Sequence, residues 1–227
     1  MTTMPSRLTV TAIALALLLW NGGALQADDA ENQAVRAVES VGGMVFRDYG
    51  AQGKPIYCVG LANCPMTDTG LKDLAGLKSL RILSLHGTQV TDAGLKALAP
   101  LKSLETLLLS DTPVTDSGLK ELAPLKSLQW LDLSGTQVKG LKELADFKSL
   151  KFLHLAGTPV ADTGLKELTA LTSLIDLDLR ASRVTDAGIK ELTVLKFLRR
   201  LDLRETRVTD SVIEGLHKAV PKCDILR

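Results

Sequence analysis

The strongest constraint on this chain is that it repeats itself. Residues 70–93 read GLKDLAGLKSLRILSLHGTQVTDA and residues 94–117 read GLKALAPLKSLETLLLSDTPVTDS; the pattern restarts at Gly118, Gly140, Gly164 and Gly188, with a looser copy from Val212. The period is 24 residues, except that the unit from Gly118 to Lys139 has 22, because Val138-Lys139-Gly140 replaces the usual Val-Thr-Asp-x-Gly. Self-similarity at such an interval predicts a stack of like units, each burying an apolar face that it cannot bury alone.

Within each unit the apolar frame is L-x-x-L-x-L-x-x-T-x-V, seen at Leu80, Leu83, Leu85, Thr88 and Val90 and recurring from Leu104, Leu128, Leu150, Leu174 and Leu198. A degenerate first copy runs through Ile56, Val59, Leu61, Cys64 and Met66, giving seven strand turns. The period-two alternation of Leu83 and Leu85 predicts a short strand with both leucines inward. Thr91-Asp92 then offers a helix N-cap, and Pro100 and Pro124 stop the short helices that follow. Where the frame places Cys64, Thr88, Thr112, Thr136, Thr158, Ser182 and Thr206, a small inward polar group can bond turn backbone that has no ladder partner. Strands stack about 4.8 Å apart and packed helices about 8 to 10 Å, so the sheet becomes the concave side of an arc.

Units of the form VTDxGLKEL-x-x-LKSL-x-x-LxL-x-x-T resemble secreted bacterial leucine-rich repeats, and more distantly the ribonuclease-inhibitor and F-box-associated classes, over roughly residues 56–227. The resemblance implies an α/β leucine-rich-repeat solenoid, a right-handed arc with a parallel concave sheet and short convex helices. It also implies a protein-binding scaffold. Similar repeats serve ubiquitin-ligase substrate recognition, but no F-box segment precedes the repeats here, and the export signal conflicts with that role.

That signal is Arg7, an apolar run from Leu8 to Trp20, and small residues through to Ala27, with cleavage expected near Ala27. The run is too short to span a bilayer, so no integral membrane segment is expected in the mature chain, which is read as periplasmic or extracellular. Removing residues 1–27 takes away one of 27 basic residues and none of the 26 acidic ones, leaving a net charge of zero. Such a balance argues against a nucleic-acid partner. Residues 28–55 are expected to form an N-terminal cap helix and lead-in strand, 56–211 the repeats, and 212–227 a C-terminal cap. The odd set Cys58, Cys64 and Cys223 gives no disulfide framework, and Cys223 is expected far from the other two.

Outward positions of successive strands fall into rows. Ile82, Trp130 and Phe152 lie in one and Leu108 in the next, giving an apolar patch suited to anchoring a protein or peptide. Asp132, His154 and Asp178 share a row, while Asp176, Asp178, Asp202, Arg180, Arg200 and Arg204 sit close together with alternating signs and are expected to form a solvated ladder, mutually neutralising across strands. A glycan or cell-envelope binder would use the aromatics as stacking platforms and the polar row for hydroxyls. A serine hydrolase would use Ser134, His154 and Asp178, but a flat sheet gives neither an enclosing pocket nor oxyanion donors, and no enzyme is expected. No Walker loop, dinucleotide fingerprint, HExxH, paired CxxC or EF-hand spacing occurs, so neither cofactor nor metal is expected. Lys72, Lys96, Lys120, Lys142, Lys166 and Lys190 are assigned to a solvated convex face.

Overall fold

The strands stack in the order in which the chain makes them. The computed structural model describes residues 29–227, so the export-signal reading of residues 1–27 lies outside the described residues. One nine-stranded sheet runs β1 (Met44–Arg47), β2 (Ile56–Gly60), β3 (Ile82–Ser84), β4 (Thr106–Leu108), β5 (Trp130–Asp132), β6 (Phe152–His154), β7 (Asp176–Asp178), β8 (Arg200–Asp202) and β9 (Asp224–Leu226). Every neighbouring pair is parallel except β1 and β2, which run antiparallel. Seven of these strands are the expected repeat strands; β1 and β9 add one at each end.

The leucine frame explains the packing. Leu83, Leu107, Leu131, Leu153, Leu177 and Leu201 lie side by side in register and are fully buried, as are Leu85, Leu109, Leu133, Leu155 and Leu179 two residues on. At the first end a helix over residues 29–40 buries Ala34 and Val38 against this column, and Gly42 (φ +82°) ends it. Gly43 then passes so close to Leu61 and Val38 that a side chain there would collide with them. At the other end a helix Asp210–Ala219 buries Val212 and Leu216.

The VTDxG segment is a single device spanning two units. Thr91 caps the helix Asp92–Leu95 by accepting from Ala93 N, as expected. The aspartate, however, works on the next unit: Asp92 accepts from Thr115 N at 2.8 Å and from Thr115 Oγ1 at 2.6 Å. Asp68 treats Thr91 in the same way, Asp162 treats Thr185, and Asp186 treats Thr209. The glycine of the motif is required because a Cβ on Gly94, Gly118 or Gly188 would collide with the aspartate of the preceding unit.

The 22-residue unit breaks this ladder, with visible consequences. Asp116 bonds Lys139 N and Gly140 N, but no aspartate follows to receive a threonine, and Ala161 stands where the next threonine would be. The following unit has no α-helical turn, only a 3₁₀ turn at Lys142–Asp146 without a side-chain cap; Glu167 of the next unit reaches back to accept from Leu141 N at 2.6 Å. Phe147, where other units have leucine, is fully buried beneath that turn.

The inward polar position behaves as expected at most steps. Thr88, Thr112, Thr136 and Thr158 each donate to the carbonyl three residues earlier at 2.6–2.7 Å, and Thr206 does the same. Ser182 departs from the pattern, since its hydroxyl is buried without a partner. The residue before it, Ala181, has φ +51°, in the left-handed region that costs a side chain energy; Gly87, Gly135 and Gly157 hold the equivalent turns. Ala181→Gly is therefore expected to stabilise the protein by about 0.5–1 kcal/mol after the entropy cost of glycine, raising the melting temperature by about 1–4 °C. A melting curve by circular dichroism that shows no rise would contradict this assignment.

The six repeat lysines are all exposed on the helical side, as expected. The three cysteines are free, and burial pushes the Cys223 thiol up to about 11, so it is an inert core group and not a nucleophile. Among the described residues no helix is long and apolar enough to cross a membrane, and no group of three or more His, Cys, Asp or Glu is placed to hold a metal ion.

Candidate functional site

Parallel pairing without a register slip places the outward residues in the expected rows. Cys58, Ile82, Thr106, Trp130, Phe152, Asp176 and Arg200 align as one, and Gly60, Ser84, Leu108, Asp132, His154, Asp178 and Asp202 as the next. Trp130 is the most exposed of the four expected anchors at 38%, while Ile82, Leu108 and Phe152 are half-buried beside it. The Trp130 ring lies 5.2 Å from that of Phe152, tilted by 33°, and 5.5 Å from His154 in an edge-on arrangement. Both spacings fall in the range of favourable aromatic pairs, so the indole is held in place before any partner arrives.

The apolar strip is longer than the sequence suggested. Phe46 pairs opposite Cys58 and Met44 opposite Gly60, extending both rows past β2 with exposed apolar side chains. The signal was present in Met44-Val45-Phe46, whose alternation turns Val45 to the core and the other two outward.

In the charged half the expectation of a solvated ladder neutralised across strands is corrected. Asp178 and Asp202 are buried, at 8% and 2% exposed, and each is closed over by the arginine two residues ahead, just past the end of its strand. Arg180 Nη2 donates to Asp178 Oδ2 at 2.9 Å and Arg204 Nη2 to Asp202 Oδ2 at 2.6 Å, with each Nε also donating to the same carboxylate. The backbone N–H of each arginine bonds the same aspartate, so the two-residue spacing creates a pocket for the carboxylate under its own guanidinium. Cross-strand pairing is secondary, with Arg180 at 3.6 Å from Asp202 and Arg200 at 4.0 Å from Asp176.

These environments separate the carboxylates. At Asp202 burial opposes ionisation, but hydrogen bonds from the Arg204 side chain and backbone, with the Arg204 and Arg180 charges, outweigh it and hold the pKa below the usual range. At Asp176 burial prevails over His154 and Arg200 and raises the pKa. A depressed carboxylate stabilises the fold above its unfolded pKa of about 3.9 and loses that contribution as pH falls through the folded value. Asp202→Asn is accordingly expected to cost about 2 kcal/mol at pH 7 by removing a charge-assisted pair, with the difference from the unsubstituted protein shrinking below about pH 4. Urea unfolding at several pH values measures this, and a pH-independent difference would contradict it.

The face is not flat at the junction of its two halves. A depression of about 390 Å³ opens there, lined by Asp111, Asp132, Ser134, His154 and Asp176 and bordered by the arginines. It does not contain the relay considered for a hydrolase. His154 Nε2 faces Asp176 Oδ1 at 3.7 Å, Asp178 is engaged by Arg180, and among the described residues no hydrogen bond joins Ser134 Oγ to His154.

A single sheet, parallel from β2 onward, with short helices behind it and an open face bearing ordered aromatics, defines a repeat solenoid. A family model described as "Leucine-rich repeat region" matches residues 61–226, and the chain belongs to that family. Among solved structures it is similar to an internalin (inlF) from Listeria monocytogenes, with a TM-score of 0.59 and 25% identity over 68% of this chain and 43% of the other. It is also similar to an internalin C2 from the same organism, with a TM-score of 0.56 and 27% identity over 71% and 77% of the two chains. The chain thus spans less than half the length of the first of these. No curated protein matches it. The leucine-rich-repeat fold is typical of protein–protein interaction scaffolds.

Proposed function

We propose that this chain is an exported scaffold that holds a protein or peptide partner on its concave face. The partner is anchored at Trp130, Phe152, Leu108 and Ile82, and Asp132, His154, Asp178, Arg180, Arg200 and Arg204 add selectivity. The observation that carries this reading is the Trp130–Phe152 pair, tilted against each other at 5.2 Å on the open side of the sheet, with further exposed apolar residues, Met44 and Phe46, on β1. Soluble surfaces seldom keep a contiguous apolar strip without a use, and rigid aromatics lose little entropy on binding.

Export rests on the charged, apolar and small-residue segments of residues 1–27 and is supported by the likeness to internalins. The test is affinity capture from the native cell envelope with the chain beginning at Asp28, followed by mass spectrometry and a direct binding measurement on any partner found. Retention of one partner, competed by excess free chain, is expected. Selective retention on a glycan array with no protein captured would replace this reading with the glycan one.

A further inference from the structure

Three outward aspartates occupy the same place in their strands, and in each the carboxylate accepts from the backbone N–H two residues ahead. Asp132 accepts from Ser134 N at 2.9 Å, Asp178 from Arg180 N at 3.0 Å and Asp202 from Arg204 N at 3.2 Å. In the second and third copies the residue two ahead is an arginine whose guanidinium covers the carboxylate through Nε and Nη2. In the first it is Ser134, and among the described residues no Lys, Arg or His nitrogen lies within ion-pair distance of Asp132.

The surroundings sharpen the difference. Asp111 leans over Gly135, beside Ser134, and places a second carboxylate at the same depression, 3.6 Å from His86 Nδ1. The preceding units of the other two copies offer Gly157 and Ala181 at that position. The most acidic of the three sites is therefore the one without a resident cation, and it lies two residues along the strand from Trp130.

Resting on the concave-face reading above, we propose that the partner supplies the missing group: an arginine of a protein or peptide segment whose guanidinium seats on Asp132 as Arg180 and Arg204 seat on Asp178 and Asp202. Asp111 flanks it, and the aliphatic stem crosses the aromatic strip at Trp130. A planar fork fits a carboxylate through two parallel N–H bonds, which an ammonium cannot reproduce. Desolvation beside the aromatic strip strengthens the pair.

The test is an NMR titration of the protein's backbone amides with N-acetyl-arginine methylamide, and with the citrulline analogue, which keeps the shape and lacks the charge. Saturable movement of the Ser134 and Gly135 signals is expected with the arginine probe, with binding at least tenfold weaker for citrulline. Asp132→Asn removes the negative charge and one of the two acceptor oxygens, Ser134→Arg fills the site in cis, and each is expected to weaken the probe at least tenfold. The second variant copies what positions 180 and 204 already hold, and an unchanged melting temperature establishes that it folds. Equal affinity for citrulline, undiminished binding by Ser134→Arg, or no saturable movement at Ser134 would each overturn the assignment. Such a failure leaves Trp130-dependent partner binding unaffected, whereas loss of both would remove the concave-face reading itself.

Discussion

Phe147→Ala is expected to be among the most destabilising single substitutions in the chain, at about 3–5 kcal/mol. The ring is fully buried and is the largest side chain in the core. It also sits where the architecture is thinnest. The unit containing it lacks an α-helical turn, its 3₁₀ turn has no side-chain cap, and the Thr–Asp ladder that joins other units is interrupted at Ala161. With two of the usual couplings absent, packing around Phe147 carries a larger share of the interface between the units before and after it. Stability in a solenoid is a sum of unit terms and nearest-neighbour interfaces, so a weak interface can uncouple the two halves. The expected result is a drop in the urea midpoint together with a broadened or two-step transition. Leu101→Ala, at the same position two units earlier where the ladder is intact, should lower the midpoint while leaving a single transition. A single sharp transition in Phe147→Ala would show that the unit after the short one is as firmly coupled as the rest.

The fold was legible because a repeat supplies the same information many times. Strand position, register and the inward face were all fixed by leucines at constant spacing, and each reading was tested against six further copies. What was not legible was any bond between copies. The aspartate of VTDxG reads from sequence as part of a helix cap, and its service to the next unit's threonine depends on the stacking distance, which no single unit reveals. Ala161 carried a hint: the threonine is absent in the one unit whose predecessor lacks the aspartate.

In the charged half the rows were placed correctly and their chemistry was not. Period-two alternation says that Asp178 and Asp202 point away from the core, which predicts exposure. It does not follow when the residue two ahead on the same face is an arginine, because a long side chain can lie back over its neighbour and exclude water. The Asp-x-Arg pattern at 178–180 and 202–204, set against Asp-x-Ser at 132–134, was available in the sequence; its meaning needed the guanidinium geometry.

Trp130→Ala is expected to weaken partner binding by at least thirtyfold, about 2 kcal/mol, while lowering stability by no more than about 1 kcal/mol. The two effects separate because the indole is partly solvent-exposed and contributes to the fold through its contacts with Phe152 and His154, whereas in a complex it would be covered on all sides. Central, rigid aromatics at an interface dominate affinity because truncating one leaves a cavity that neighbouring contacts cannot close. Ile82→Ala, two strands from Trp130 in the same row and half-buried already, should cost less than tenfold. Charge reversal on the convex side, for example Lys120→Glu, should leave affinity within twofold. Binding by the tryptophan variant at full strength, with its melting temperature intact, would mean that the partner does not use this part of the sheet. A loss of similar size from the convex variant would move the interface to the helical side.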